Sequence, residues 1–409
     1  MQAGKGRWQA INRWLYQTGH RLLAWKTTGV SAARPGGASE PFEGPLAPII
    51  YIAGGRLGDA LLAAAFVRHY RSFFGRPIIA IGRPETACVL APLVDQFVPL
   101  DASADWHGKL GGASALAALP PTVKGVIGDL HLCHGNRASL DLVAAIAAPQ
   151  TVLYDGWIDR SLQAPIRNWP HRSLLVSSLH KPTGTDPDRR HVLLDLAHYH
   201  RAVLDAFGIH AAVPSEPWLP DALKDKTVAP QFGLSKATIV CHIESSQRKK
   251  DWPLARWREL FAAFPSETFA VLGTNATTTE AFPENVRDLR GMTTILQAIA
   301  IAATARAFVG VDSGLAHAAG IAFVPTIVPM ALATPGYFFP YPENVRPNIK
   351  TVHALAYADC AGCGGICCQE LLLRCHRLGF PCVRNLGAKP VIEALTQVLD
   401  KAQHLQAVR

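Results

Sequence analysis

The chain has 409 residues, of which 49% are hydrophobic and 17% charged, a balance that describes a globular protein long enough for two domains with cores of their own. No apolar run reaches the ~18 residues that a membrane-spanning helix requires, and the basic start lacks an uninterrupted apolar stretch followed by a small-residue cleavage site. Formal net charge is +9, but Lys5, Arg7, Arg13, Arg21, Lys26 and Arg34 supply six of those charges within residues 1–39, which hold no acid.

In chain order, Trp8, Ile11, Leu15, Leu22 and Trp25 recur at spacings of three, four and seven, which predicts an amphipathic helix with basic flanks. Residues 8–26 suit an anionic membrane surface or a partner groove, and equally suit packing on the rest of the chain. Residues 31–48 are rich in Gly, Pro, Ala and Ser and read as a linker.

Pro48 to Ala53 predicts a strand that ends in Gly54-Gly-Arg-Leu-Gly-Asp59, followed by an Ala/Leu-rich helix through Phe74 and a strand at Pro77 to Ile81. The three glycines lack the spacing of a dinucleotide fingerprint, and no acid about 20 positions on stands at a strand end. Asp59 would open the helix, where it serves either as a cap or as a base that takes a proton from an attacking hydroxyl. Further strands are predicted at Val123 to Leu132, Thr151 to Tyr154 and Ser173 to Ser177, with helices at Leu140 to Ala147 and His191 to Phe207.

After a Pro-studded connection from Val213 to Pro230, strand and helix alternate again: a strand at Ala237 to Ile243, a helix at Leu254 to Phe264, a strand at Thr268 to Leu272, a helix at Ile295 to Thr304 and a strand at Pro325 to Val328. Two runs of alternation imply two parallel-sheet domains facing a cleft. His242-Ile-Glu-Ser-Ser-Gln-Arg-Lys-Lys-Asp-Trp-Pro253 follows a strand, and its cations Arg248, Lys249 and Lys250 read either as a solvated run or as a phosphate cradle. Val309-Gly-Val-Asp-Ser-Gly-Leu-Ala-His317 reads as strand, tight turn and helix. Its first amides and dipole suit a phosphate, although Asp312 and Ser313 are also ordinary caps and His317 an ordinary core residue. If both segments share one sheet edge, they can hold a diphosphate together.

Six of nine cysteines fall between Cys360 and Cys382. In a chain expected to be cytoplasmic, such density favours metal over disulfides, and Cys360-Ala-Gly-Cys363 has the spacing of a thiolate knuckle. Cys360, Cys363, Cys375 and Cys382 are the chosen ligands for a structural zinc or iron, with Cys367 or Cys368 as substitutes.

Gly58-Asp59, Val126-Ile-Gly-Asp-Leu-His131, Ser245-Ser246 with Lys250-Asp-Trp-Pro253, and Val311-Asp-Ser-Gly-Leu-Ala-His317 together resemble, in order and approximate spacing, glycosyltransferase family 9, the ADP-heptose heptosyltransferases. The likeness covers about residues 48–400. It implies an α/β GT-B fold and an inverting transfer without a catalytic metal. By position, Asp59 resembles the family's catalytic base. Ser245, Ser246, Lys250, Asp312, Ser313, Gly314 and His317 resemble its donor-binding residues. Asp129 is a second candidate base. Ala65 stands where the family usually has proline, and Asp-Ser-Gly where it has Asp-Thr-Gly; neither change removes a reacting group. Some members carry a cysteine-rich iron-binding finger near the C-terminus, which raises a protein acceptor as an alternative.

The expected organisation is a basic helix and linker (1–47), an acceptor-side Rossmann-like domain (48–212), a nucleotide-sugar domain (213–355), a cysteine-rich finger (356–386) and a C-terminal helix (387–409). The expected activity is transfer of heptose from an ADP-sugar to a lipopolysaccharide-core or other glycan or lipid-linked acceptor, at the inner face of the membrane. No nucleic-acid partner is expected. Of another class is a catalytically silent scaffold on the same fold.

Overall fold

The computed structural model describes residues 46–53, 55–100, 112–129, 137–154, 172–176, 191–245, 250–274, 281–330, 338–343, 345–353 and 384–407. The basic N-terminal segment and Cys360, Cys363, Cys375 and Cys382 lie outside the described residues, as do Ser246, Arg248 and Lys249.

Among the described residues, twelve strands form two six-stranded sheets. The first contains β1 (Ile49–Ala53), β2 (Ile78–Gly82), β3 (Gln96–Pro99), β4 (Gly125–Gly128), β5 (Gln150–Tyr154) and β6 (Arg172–Val176), in the order β3-β2-β1-β4-β5-β6. The second contains β7 (Ile239–His242), β8 (Phe269–Leu272), β9 (Val286–Asp288), β10 (Ala307–Gly310), β11 (Thr326–Met330) and β12 (Ile349–His353), in the order β12-β11-β10-β7-β8-β9. Every strand pair is parallel. Read from its own first strand, the second sheet has the order of the first: the same doubly wound topology occurs twice. The predicted α/β architecture is therefore observed, and its order reverses between β1 and β4 and again between β7 and β10.

Central strands are apolar along their whole length, because helices cover both faces of a parallel sheet and no alternate position reaches water. All five residues of β1, β2, β5 and β11 are buried. The longer helices are α1 (Leu57–Val67), α2 (Arg137–Ile146), α3 (Val192–Ala206), α4 (Leu254–Ala262), α5 (Ile295–Ala303), α6 (Gly314–Ile321) and α7 (Lys389–Ala407). Helix α1 is buried nearly all round, since it packs beneath the first sheet and also against α6 of the second half. One apolar cluster accordingly runs from Tyr51 and Leu57 through Leu315 and Phe339 to Phe308 and Val328, joining the halves without a break. Helix α7 belongs to the second half: Val391, Leu395 and Leu399 pack with Trp257 and Phe261 of α4. The Trp252 indole N–H donates to the Leu386 carbonyl at 2.8 Å.

Boundaries differ modestly from expectation. The strand predicted to reach Leu132 ends at Gly128, and residues 130–136 lie outside the described residues. No described helix is long and apolar enough to cross a membrane.

Candidate active site

All four motif segments follow the strands that flank the two reversals of strand order: the Gly58-Asp59 turn follows β1, Asp129 follows β4, the Ser245 to Lys250 loop follows β7 and the Asp312 turn follows β10. At such positions neighbouring crossovers leave in opposite directions, and the carboxyl ends of the strands open a crevice.

Helix α1 begins where Arg56 leaves β1, and Asp59 folds back so that its Oδ2 accepts the Arg56 backbone N–H at 2.8 Å. A side chain at Gly55 would collide with Asp59 Cβ, which accounts for that glycine. Asp59 is thus a helix cap, and its carboxylate is fixed at the mouth of the turn rather than carried on a mobile stem. Asp129 has a different setting. It is 6% exposed, and its Oδ2 accepts the Tyr51 hydroxyl inside the first domain.

Across the crevice, Lys250 Nζ lies 2.8 Å from Asp312 Oδ2, which ties the β7 loop to the β10 turn. Ser245 N–H donates to Asp251 Oδ1 at 2.7 Å. Ser313 occupies the N-cap position of α6, yet its side chain makes no capping bond; its Oγ instead meets His242 Nδ1 at 3.0 Å. With Asp312 held by Lys250 and Ser313 held by His242, no side chain of this turn caps the first amides of α6, and the capping alternative raised by the sequence does not describe it. The positive end of that helix faces the crevice.

The two halves meet through glycines. A Cβ at Gly58 would stand 3.0 Å from His317 Cδ2, and a Cβ at Gly314 would stand 2.9 Å from Leu57 Cδ2. The N-terminal turns of α1 and α6 therefore approach one another backbone against side chain. Gly314, expected to lie close to a ligand, is placed against Leu57 of the other half. His317 lies in this seam, 4% exposed, its ring stacked on Phe339 with centroids 4.3 Å apart. Burial pushes His317 down to about 4, against the opposing pull of Asp312 and Asp59 and with help from Lys250. Gly58 beside Asp59 meets the His317 ring, and the Asp312 turn that pairs with Lys250 opens the helix carrying His317, so these segments converge.

Sequence reasoning missed three contributors. His191 caps α3, with Nδ1 accepting from Leu193 N–H at 3.2 Å and Nε2 against the Phe338 carbonyl at 3.0 Å. Tyr341 places its hydroxyl 2.8 Å from His317 Nδ1. His242 was visible only as a strand-end residue. His191 and Tyr341 belong to no motif, and His242 opens the cationic segment only as the last residue of its strand, so no spacing signal marked any of the three.

Burial also lowers His191 and His242 to about 4 and His200 to about 3. These histidines and His317 are neutral in the folded chain while an unfolded chain protonates them near 6.5, so the unfolded state binds more protons between those values and stability falls as pH falls. Thermal melts should show Tm declining from pH 6.5 toward 4, with a shallower decline in His317→Gln; equal slopes for the two proteins would remove His317 from this account.

Among the described residues no group of three or more His, Cys, Asp or Glu side chains is placed to hold a metal ion. What the site offers is a carboxylate on one wall, an ammonium and a helix N-terminus on the other, and a neutral imidazole between. This arrangement suits displacement of an anionic leaving group by a hydroxyl.

Two sheets of this order facing a cleft define a GT-B fold, and the comparisons agree. Solved structures similar to the chain include an E. coli ADP-heptose lipopolysaccharide heptosyltransferase II, with TM-score 0.55 and 15% identity, covering 87% of this chain and 99% of that one. A family 9 glycosyl transferase from Veillonella parvula DSM 2008 gives TM-score 0.60 and 16% identity, covering 89% and 100%. The E. coli heptosyltransferase WaaC with ADP gives 0.50 and 15%, covering 74% and 92%. No curated protein matches the sequence. Residues 170–355 match the model of glycosyltransferase family 9 (heptosyltransferase). That match, together with the shared fold, supports a glycosyltransferase.

Proposed function

We propose that the protein transfers heptose from an ADP-sugar to a lipopolysaccharide-core or other glycan acceptor, with inversion and without a catalytic metal. The acceptor hydroxyl gives its proton to Asp59 as its oxygen bonds to the anomeric carbon of the donor. The bond from that carbon to the diphosphate oxygen breaks, and ADP departs with the electron pair. Lys250 and the first amides of α6 meet the charge that develops on the diphosphate, in place of a metal ion. Asp312 and Ser245 hold the loop that presents Lys250, and Asp129 keeps the end of β4 in register. Opposite displacement geometry requires base and leaving group on different walls. The observation that carries the reading is that Asp59 stands in the first turn of α1, whose Gly58 meets the His317 ring, while the Lys250–Asp312 pair stands in the other half, beside the turn that opens the helix carrying His317.

Thermal stability across ADP-heptose, ADP-glucose, UDP-glucose, GDP-mannose and NAD is the test. A ligand at 100 times its Kd stabilises the native state by about 2.7 kcal/mol, so ADP-sugars should raise Tm by several degrees and NAD should not. No response to any nucleotide in a folded sample would favour the scaffold. Elemental analysis of the same sample reads the structural zinc or iron proposed for the cysteine cluster.

A further inference from the structure

His317 is held neutral, and a neutral imidazole has one N–H and one lone pair, so which nitrogen carries the proton decides what the ring can do in the seam. Its Cδ2–Nε2 edge faces Gly58: a Cβ there would lie 3.0 Å from Cδ2 and 3.6 Å from Nε2. Its Nδ1 faces away, toward the Tyr341 hydroxyl at 2.8 Å. Tyr341 is 2% exposed, and burial raises its hydroxyl well above the usual tyrosine range, so the phenol keeps its proton.

That proton needs an acceptor. Among the described residues the Tyr341 hydroxyl has one hydrogen-bond partner, His317 Nδ1. If Nδ1 carried hydrogen and donated to Tyr341, the phenol proton would be left inside the protein without an acceptor, at a cost of about 1–3 kcal/mol. If the phenol donates, both groups are satisfied. The Tyr341 ring cannot readily turn aside: His191 packs edge-on against it with centroids 4.6 Å apart, and Phe339 lies nearly parallel at 5.9 Å. His191 is itself fixed at both ring nitrogens, as cap of α3 and partner of the Phe338 carbonyl.

We propose that Tyr341 is a positioning residue, which donates to His317 Nδ1 and so fixes the tautomer that presents Nε2–H toward the meeting point of α1 and α6, as a hydrogen-bond donor to a phosphate oxygen of the nucleotide-sugar. The assignment of that oxygen rests on the transferase reading above; the tautomer does not. Tyr341 touches no reacting atom in this scheme. It acts through the imidazole, and His191 in turn holds Tyr341 from the acceptor side of the fold.

The test is a long-range proton–nitrogen correlation spectrum of the full-length protein labelled with 15N-histidine, in which the His317 signals are those lost in His317→Gln. The expected native pattern is an unprotonated Nδ1 and a protonated Nε2, changing to mixed tautomers in Tyr341→Phe. With ADP-heptose, Tyr341→Phe should lower kcat roughly tenfold, less than the ~10²–10³-fold that follows outright loss of a transition-state donor. A protonated Nδ1 in the native protein overturns the proposal, and so does an unchanged tautomer in Tyr341→Phe. Should that variant fail to fold, the native spectrum alone decides. A native protein with the expected tautomer but no turnover of any nucleotide-sugar would overturn the transferase reading and the assigned phosphate contact while leaving the tautomer and its cause established.

Discussion

Asp59→Asn is expected to lower the turnover of heptose transfer by about 10²–10⁴-fold, the usual share of a positioned general base, while leaving the KM for the nucleotide-sugar and the melting temperature nearly unchanged. Asparagine is the informative substitution because it separates the observed cap role of Asp59 from its proposed role as base. Its Oδ2 accepts the Arg56 N–H and closes the first turn of α1, and an amide oxygen can still do that. It cannot take up a proton from an acceptor hydroxyl. Steady-state kinetics with donor and acceptor varied separately, beside a melt of each protein, tests both halves of the expectation. Full activity in Asp59→Asn would pass the base role to Asp129. The corresponding change there should behave differently: Asp129 lies inside the first domain with the Tyr51 hydroxyl on its Oδ2, so Asp129→Asn should show first as lost stability.

Lys250→Ala is expected to reduce kcat/KM for the nucleotide-sugar by about 10²–10³-fold and to weaken the thermal shift given by ADP. Two effects combine. The phosphate loses its cation, and Asp312, 16% exposed and paired with Lys250 at 2.8 Å, becomes an uncompensated negative charge beside the place where the diphosphate departs. Lys250→Ala combined with Asp312→Asn removes the second effect and should recover part of the loss. If Lys250→Ala binds ADP as tightly as the native protein, the ion pair is a loop tie and the phosphate role is wrong.

How much of this was legible beforehand follows the physics of each element. Central strands β1, β7, β8 and β11 declare themselves because a parallel sheet covered on both faces demands unbroken apolar runs. The outer strands β3, β9 and β12 give no such signal, because Gln96–Pro99, Val286–Asp288 and Ile349–His353 carry polar or charged residues. They pair only because a neighbour offers its edge. Asp59, Lys250 and the Asp312 turn were legible because each sits where an apolar run breaks into a turn. Their partners were not. That Ser313 would turn to His242 instead of capping α6, or that Gly314 would be reserved for Leu57, depends on contacts between residues 71 and 257 positions apart, and spacing within a motif carries no record of them. Tyr341 and His191 were invisible for the same reason, being 24 and 126 positions from His317 and in no motif.

The unbroken apolar cluster beneath the crevice also bears on how an acceptor as bulky as the proposed glycan would be served by a narrow seam. Where two bodies share a floor, rotating one against the other displaces each atom in proportion to its distance from that floor, as a door moves most at its handle and least at its hinge. Asp59 and His317 stand beside that shared floor, at the contacts made by Gly58 and Gly314. The far ends of both sheets stand away from it. A few degrees of rotation would thus widen the outer rim by ångströms while shifting the reacting groups by a fraction of that, so admission of a large acceptor and alignment of its hydroxyl make separate demands on the same motion.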